Sequence, residues 1–246
     1  MKKILTLICA AAMACTALTG CGGEKKDDKL VMATNAAFPP YEFYENEKIV
    51  GIDAEIAQAI ADKLGMELEI QDTEFGSIIA GVQTGKYDMG MAGMTVTDER
   101  KESVNFSDTY ATGIQSVIVT EDSAIKAIED LEGKKIGVQQ DTTGHIYSAD
   151  EYGDDAVTPY NKGADAVAAL TSGKVDCVII DNEPAKSFVE ANKGLKILDT
   201  EYAVEEYAIC VSKENTELLE KINGALKDLT ADGTVDKIVD KYISAE

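Results

Sequence analysis

Residues 79–88, IAGVQTGKYD, run from an apolar helical stretch through a Gly-Lys exit to an Asp that opens an apolar segment. Residues 167–176, VAALTSGKVD, repeat this order at the same spacing. Each copy predicts a helix, a glycine turn and a strand, the repeating unit of a layered α/β fold. Continuing both copies in register places Gly93 opposite Asp181, each just past the carboxyl end of a strand. Open α/β sheets bind ligands there, so the repeat predicts a site between two similar lobes. Coincidence is the alternative, because Gly-Lys exits are common.

The remaining chain from Leu30 alternates short β-rich apolar runs with amphipathic helical stretches. The clearest helix covers residues 54–64, where an apolar stripe ends at Gly65. Residues 216–242 predict two helices separated near Gly233. Predicted strands cover residues 30–34, 67–70, 88–92, 115–120, 135–139, 176–180 and 207–211. The pattern favours α/β layering in two domains of about 110 residues each.

The N-terminus has the form of a secretory signal. Lys2 and Lys3 precede an apolar run over residues 4–18, which is too short for a stable transmembrane span. Residues 1–20 are therefore expected to be a signal peptide.

The segment LTGC, residues 18–21, resembles the bacterial lipobox, whose cysteine becomes the lipid-modified first residue. This resemblance implies a lipoprotein with a palmitate-containing lipid on Cys21, held outside the cytoplasm on the cell membrane of a bacterium. The polar and charged residues 21–29 are expected to form a flexible tether.

The chain is strongly acidic, with 45 Asp and Glu against 23 Lys and Arg and a formal net charge of −22. Loss of Lys2 and Lys3 with the signal would leave 21 basic side chains and a charge of −24. This balance excludes nucleic acid as a partner and repels anionic headgroups, so membrane residence is expected through the lipid on Cys21. Charge of this kind supports solubility but does not identify a ligand.

Cys177 and Cys210 are the only cysteines beyond Cys21, and both lie in apolar strand-like runs. They are expected to be buried and unpaired. No CxxC or HxxxH spacing argues for a metal, and we expect neither metal nor cofactor.

Arg100 is the one arginine of the chain and closes the segment AGMTVTDER, residues 92–100. Its planar fork fits a carboxylate in a way that lysine cannot copy, so we expect it to bind one. The alternative is a surface arginine in the first turn of a helix, paired with Asp98 or Glu99.

Four motifs follow one another with wide spacing: ATNAAFPPYEF (33–43), GID (51–53), AGMTVTDER (92–100) and NFSD (105–108). Together they resemble the polar-amino-acid-binding subgroup of extracellular solute-binding proteins, the capture components of ABC importers. The resemblance covers nearly all of residues 30–242. It implies the type II periplasmic-binding-protein fold, an α/β fold of two hinged lobes in which each lobe is a mixed sheet flanked by helices.

In that fold the chain crosses between lobes twice, here near residues 110–113 and 203–207. The resemblance thus implies that residues 30–110 and 206–246 form lobe 1 and residues 111–205 form lobe 2.

The resemblance also implies how the ligand is held. The carboxylate clamp falls on Arg100, helped by backbone N–H groups near Thr95 and Thr143. The ammonium acceptor falls on Asp181, with the Gly93 carbonyl and the Thr95 hydroxyl as further partners. Because residues 142–144 open a predicted helix, their free N–H groups suit an anion. Asp181 could instead cap the following helix, and Thr95 could make only a local turn.

The aromatic walls of the family fall on Phe38 and Phe75, whose alternative is ordinary core packing. His145 is expected to be a surface or first-turn residue, since no nucleophile accompanies it. The side-chain pocket is expected to include Asn35, Tyr41, Ala92 and Gln139.

Selectivity is inferred from the neutral groups of that pocket. Relatives that prefer basic side chains tend to carry an acid where this chain has Asn35, and Gln139 and Gln140 face the same region. Neutral amides do not compensate a buried charge, so a neutral polar amino acid is favoured, glutamine first and cystine next. This inference would be weaker if the side chain of Glu42 or Glu74 reached the pocket.

The expected function is capture of a free L-amino acid by a monomeric lipoprotein that delivers it to a membrane ABC permease. The alternatives are a ligand-binding component of a chemosensory or signalling receptor, a cyclohexadienyl-dehydratase-like enzyme on the same fold, and a structural surface lipoprotein. We expect no enzyme and assign no catalytic residue, because no acid-base pair is arranged in the sequence.

Overall fold

The computed structural model describes residues 29–199 and 202–243. The predicted signal and Cys21 lie outside the described residues. In chain order the strands are β1 (Lys29–Thr34), β2 (Ala37–Phe38), β3 (Glu42–Glu45), β4 (Lys48–Val50), β5 (Glu67–Asp72), β6 (Met89–Gly90), β7 (Val104–Thr120), β8 (Ile136–Gln139), β9 (Val157–Tyr160), β10 (Cys177–Asp181), β11 (Leu195–Ile197) and β12 (Ala203–Ser212). The helices are α1 (Ile52–Leu64), α2 (Ile78–Gln83), α3 (Asp98–Ser103), α4 (Thr143–Tyr152), α5 (Gly163–Thr171), α6 (Asn182–Ala191), α7 (Thr216–Ala231) and α8 (Thr234–Tyr242).

A mixed sheet runs through the described chain in the order β5-β1-β6-β12-β7-β10-β8-β9, with β11 also on β7. The outer strands pair in parallel, β1 with β5 and β6, and β8 with β9 and β10. The central strands β7 and β12 pair antiparallel and join the two parallel groups. This is the mixed α/β architecture that the sequence predicts.

The two segments predicted to cross between lobes are hydrogen-bonded neighbours in the centre of this sheet. Ala111 pairs with Tyr207 and Gly113 with Glu205, and the register of the strands shifts just after Tyr207. The two predicted crossing segments therefore lie side by side.

The internal repeat is confirmed in three dimensions. In each copy a helix, α2 or α5, leads to a strand, β6 or β10. Each copy leaves its helix through a glycine in the left-handed region, Gly85 at φ 71° and Gly173 at φ 72°.

The aspartate of each repeat holds the neighbouring strand in the same way. The Asp88 carboxylate accepts a hydrogen bond from the Val31 N–H at 2.7 Å, and the Asp176 carboxylate accepts one from the Lys135 N–H at 2.8 Å. Two segments of different sequence thus form the same helix-turn-strand unit.

The helices cover the sheet through their apolar faces. On α1 the residues Ile56 and Ile60 are fully buried, and Gly65 ends the helix at φ 69°. Burial of each isoleucine contributes about 1.5–3 kcal/mol of hydrophobic stabilisation. Cys177 and Cys210 are buried and unpaired, as predicted, and burial raises the pKa of each thiol to about 12.

Some elements differ from the predictions. Strand β1 begins at Lys29, which the sequence assigns to the tether, because Lys29 pairs with Glu67 and its ammonium lies 3.0 Å from a carboxylate oxygen of Glu69. The predicted strand 88–92 is only Met89–Gly90, whereas β7 starts eleven residues before its predicted start at Gln115. The small sheet β2-β3-β4 and the strands β9 and β11 are not among the predicted elements.

Candidate functional site

A narrow cavity lies where the two copies of the repeat face each other. Loops that follow β1, β6 and β8 and the end of β10 contribute to it. The lining residues are Asn35, Phe38, Glu42, Phe75, Ala92, Gly93, Thr95, Arg100, Gln139, Thr142, Thr143 and Asp181. The fold thus brings together all the predicted ligand contacts except Tyr41.

Helix α3 positions Arg100 at the cavity. Thr97 caps the N-terminus of this helix, and its hydroxyl accepts the Arg100 N–H at 3.1 Å. The guanidinium donates to the Thr95 carbonyl at 2.8 Å and to the Asp141 carbonyl at 3.1 Å. It also lies over the Phe75 ring, 5.2 Å from the centroid. These contacts fix the fork at the wall of the cavity.

The structure does not contain the alternative for Arg100, an exposed side chain paired with Asp98 or Glu99. The residue is only 8% exposed, and the ion pair of Asp98 is with Lys101 at 3.2 Å. Burial lowers the pKa of Arg100, although nearby acids oppose the shift. A buried cation of this kind favours an anionic partner.

Asp181 occupies the N-cap position of α6 but makes no side-chain cap hydrogen bond. Its carboxylate instead accepts a hydrogen bond from the Tyr207 hydroxyl. The side chain is 6% exposed, and burial, followed by the charge of Glu205, raises its pKa to about 7. A cationic ligand group beside it would favour the ionised form.

Thr95 and Thr143 meet across the cavity, with their hydroxyl oxygens 3.4 Å apart. The Thr95 hydroxyl donates to Glu205 at 3.1 Å, and the same carboxylate oxygen accepts from the Gln115 amide at 3.0 Å. Sequence reasoning missed Glu205. Extending the predicted strand back from Tyr207 would have placed Glu205 on the same face as that buried ring.

The predicted side-chain pocket contains two amides that satisfy each other in part. Gln139 donates to the Asn35 side-chain oxygen at 3.0 Å, and Asn35 donates to the Thr73 carbonyl at 2.7 Å. Within the described residues, the side-chain oxygen of Gln139 has no hydrogen-bond partner. This cavity-lining residue therefore has one buried, unpaired acceptor.

Glu42 lines the same cavity and is 1% exposed. Its carboxyl group lies against that of Asp53, and the two can share a hydrogen bond when Glu42 is protonated. Burial, with the charge of Asp53 next, raises the pKa of Glu42 well above its usual value. The acid that would weaken the inferred preference for a neutral ligand does reach the pocket.

Asp53 does not line the cavity but holds Gly93, which does. It is fully buried at the start of α1 and accepts hydrogen bonds from the Gly93 N–H at 2.8 Å and the Tyr110 hydroxyl at 2.9 Å. Burial raises its pKa to about 6. Gly93 has φ 52°, and a Cβ there would lie 2.8 Å from the Phe38 ring, so only glycine fits without displacement.

Phe38 and Phe75 both line the cavity, as predicted, but Tyr41 does not. The Tyr41 ring lies behind Phe38, with centroids 5.9 Å apart, and meets Tyr207 edge-on at 5.3 Å. Tyr41, expected in the side-chain pocket, thus packs behind the cavity wall in this structure.

The matching family model is that of the bacterial extracellular solute-binding proteins, family 3, and it covers residues 30–245. The chain belongs to this family. The resemblance drawn from the four sequence motifs is thus confirmed.

Named relatives of this family 3 chain bind amino acids. Over its whole length the chain is 35% identical to the arginine-binding extracellular protein ArtP of Bacillus subtilis (strain 168), 100% of which is covered. It is 32% identical to the ABC transporter glutamine-binding protein GlnH of that organism, over 100% of this chain and 99% of GlnH. A solved ancestral arginine-binding protein bound to glutamine is 41% identical, with a TM-score of 0.84 over 89% of this chain and 99% of that one.

Two further findings describe the family 3 chain. Among the described residues, no group of three or more His, Cys, Asp and Glu side chains could hold a metal ion. A helix long and apolar enough to span a membrane is also absent from residues 29–199 and 202–243.

His145 lies in the first turn of α4, where its ring accepts the Asp141 N–H at 3.2 Å.

Proposed function

We propose that this family 3 protein captures a free L-amino acid in the cavity that Arg100 and Asp181 share and delivers it to a membrane ABC permease. The observation that carries the proposal is a buried guanidinium and a buried carboxylate on the wall of one cavity. These two groups complement the carboxylate and the ammonium of every free amino acid.

Each end of the ligand has further partners in this proposal. Backbone N–H groups near Thr95 and Thr143 assist Arg100, and Thr143 begins helix α4, where free N–H groups favour an anion. The Gly93 carbonyl and the Thr95 hydroxyl assist Asp181. The rings of Phe38 and Phe75 exclude water and cover the aliphatic part of the ligand.

Binding would be coupled to hinge closure. We propose that residues 30–110 and 206–246 form one lobe and residues 111–205 the other. Hydrogen bonds across that division support the proposal, from Gln139 to Asn35 at 3.0 Å and from Arg100 to Asp141 at 3.1 Å. A site split in this way binds fully only when closed, so the ligand shifts the hinge equilibrium by its higher affinity for the closed state.

For the ligand side chain we propose a cation first. Glu42 and Gln139 both line the cavity, and each offers only buried acceptor oxygens beyond its existing contacts as long as Glu42 is ionised. A guanidinium offers five N–H donors and a positive charge, whereas an unpaired buried carboxylate is costly. Two of the relatives described above are named as arginine-binding.

A neutral polar side chain, glutamine in particular, is the second candidate. The amides of Asn35 and Gln139 lie in the pocket, and a protonated Glu42, favoured by its raised pKa, could both donate to and accept from a ligand amide. The relatives include a glutamine-binding protein and an ancestral protein bound to glutamine.

A thermal-shift screen of the twenty amino acids, cystine and ornithine tests the proposal. A ligand at one hundred times its Kd adds about 2.7 kcal/mol to the free energy of unfolding. Stabilisation by L-arginine above all others supports the first candidate, and stabilisation by L-glutamine the second. Lack of stabilisation by every compound would contradict capture of amino acids and favour a structural lipoprotein.

We also propose that the mature protein is a monomeric lipoprotein anchored through Cys21. Mass spectrometry of the membrane-extracted protein would show a lipidated N-terminal Cys21, and Cys21→Ser would release the protein from the membrane.

We propose that the role of the protein is transport, and neither sensing nor catalysis. Deletion of the gene should abolish uptake of the ligand, and incubation of the protein with amino acids or cyclohexadienyl acids should leave them chemically unchanged.

A further inference from the structure

Glu205 is a buried carboxylate beside the cavity, outside its lining and outside the set of expected ligand contacts. It lies on the central strand β12, opposite Gly113 of β7, and is 5% exposed. One oxygen, Oε2, accepts hydrogen bonds from Thr95 and Gln115, whereas Oε1 has no partner among the described residues. Its neighbour Glu206 on the same strand is exposed.

Glu205 determines the direction of the Thr95 hydrogen bond. A threonine hydroxyl has one hydrogen to donate, and the Thr95 hydroxyl donates to Glu205 Oε2 at 3.1 Å. In the contact between the two threonine hydroxyls at 3.4 Å, Thr143 must then be the donor. The Thr95 oxygen is left with acceptor capacity only, and Thr95 lines the cavity.

An oxygen that can only accept discriminates between the two ends of an amino acid. It can receive an N–H from an ammonium, but it has no hydrogen for a carboxylate. The charge of Glu205 acts in the same direction, since Glu205 contributes to the raised pKa of Asp181 and opposes the lowering of the pKa of Arg100. The surroundings of Thr95 therefore favour a cationic ligand group.

We propose that Glu205 is a positioning residue for recognition of the ligand ammonium, because it takes the Thr95 hydroxyl hydrogen and holds the Thr95 oxygen as an acceptor. This inference rests on the proposed function, capture of an amino acid in the cavity. Glu205 itself does not touch the ligand. Its effect on binding is transmitted by Thr95.

The test compares L-arginine with 5-guanidinopentanoate, the same molecule without the ammonium, by isothermal titration of the full-length mature protein. If the screen selects glutamine, the probes are L-glutamine and glutaramate. Glu205→Met should weaken binding of the amino acid about tenfold to a hundredfold, as expected for loss of a hydrogen bond to a charged group, and weaken the des-amino analogue less than threefold. Glu206→Gln, on the same strand, should change neither value.

A double-mutant cycle shows whether Glu205 acts by way of Thr95. In a Thr95→Val background Glu205→Met should weaken amino-acid binding less than threefold, because the hydroxyl that it orients is gone. Glu205→Gln keeps an acceptor oxygen and should retain most of the discrimination between the two probes. If Glu205→Met does not fold, the cycle is run with Glu205→Gln, where a smaller loss of discrimination should again vanish in the Thr95→Val background.

Two results separate this inference from the function on which it rests. If the wild-type protein binds none of the amino acids, the proposed function is overturned and the role of Glu205 with it. If the wild type binds, but the variants weaken both probes equally or add their effects to that of Thr95→Val, only the role of Glu205 is overturned.

Discussion

Glu42→Gln removes a negative charge from the cavity and leaves the size of the side chain nearly unchanged. The wild-type carboxyl group is 1% exposed and lies against the carboxyl group of Asp53, with which it can share a hydrogen bond when protonated. A guanidinium about 4 Å away would gain about 4 kcal/mol at an effective dielectric constant of about 20. The cost of ionising a buried carboxyl offsets part of this gain, because burial raises the pKa of Glu42. A net effect of about 2–3 kcal/mol remains, which corresponds to a loss of about 30-fold to 150-fold in affinity for L-arginine.

The same substitution should affect a neutral ligand far less. Binding of L-glutamine is expected to change by less than fivefold, since a glutamine side chain at position 42 can still donate to and accept from a ligand amide. The free energy of unfolding of the ligand-free protein should fall less steeply as the pH rises, because burial raises the pKa of Glu42 and the variant has no carboxyl to ionise at this position.

Isothermal titration of both amino acids and chemical denaturation of the free protein measure these effects. Glu45→Gln, at an exposed position of the same strand β3, is the matched control and should change neither affinity nor stability. An arginine affinity within threefold of wild type, or an equal loss for arginine and glutamine, would refute the assignment of Glu42 to the ligand side chain.

Two further predictions concern the ammonium end of the site. Because burial raises the folded-state pKa of Asp181 to about 7, above its unfolded value, its contribution to the stability of the free protein is present below about pH 4 and is lost as the pH rises towards 7. Amino-acid affinity should rise over pH 5 to 8. Asp181→Asn should reduce the pH dependence of affinity, measured by titration, and that of stability, measured by denaturation. Unchanged pH profiles in this variant would contradict the role of Asp181. Gly113→Ala would place a Cβ 2.2 Å from the Tyr207 hydroxyl oxygen, so displacement of the ring should weaken binding about tenfold by titration. Gly224→Ala on α7, where a Cβ meets nothing within 4 Å, should leave binding unchanged and stabilise the protein by about 0.5–1 kcal/mol; equal affinities of the two glycine variants would contradict the supporting role of Tyr207.

The repeat made two helix-turn-strand units of this fold, α2–β6 and α5–β10, predictable from the sequence. Local signals were sufficient there: a helix, a glycine exit and an aspartate before an apolar strand appear in both copies, and each aspartate holds the neighbouring strand. Register between the copies then placed Gly93 and Asp181 at one cavity. Strands whose stability comes from distant partners were missed or shortened, as in the polar first half of β7 that pairs with β12.

The acidic residues of the site also differ in whether the sequence could predict their role. Asp181 could be predicted because it ends an apolar strand, but Glu42, Asp53 and Glu205 look like ordinary surface charges in a chain with 45 acidic residues. Only the tertiary packing shows that they are buried. Tyr41, expected in the side-chain pocket, instead packs behind Phe38, and that position also depends on tertiary packing.

The central claim is that Arg100 binds the ligand carboxylate, and affinity of the Arg100→Ala variant measures it most directly. Removal of the guanidinium would leave a carboxylate unpaired in a buried site at a cost of about 3–5 kcal/mol. Isothermal titration with the amino acid found in the screen should show a Kd raised at least a hundredfold, whereas Lys101→Ala, at the exposed neighbouring position on α3, should leave the Kd unchanged. An Arg100→Ala variant that is folded and loses less than fivefold in affinity would remove Arg100 from the binding site.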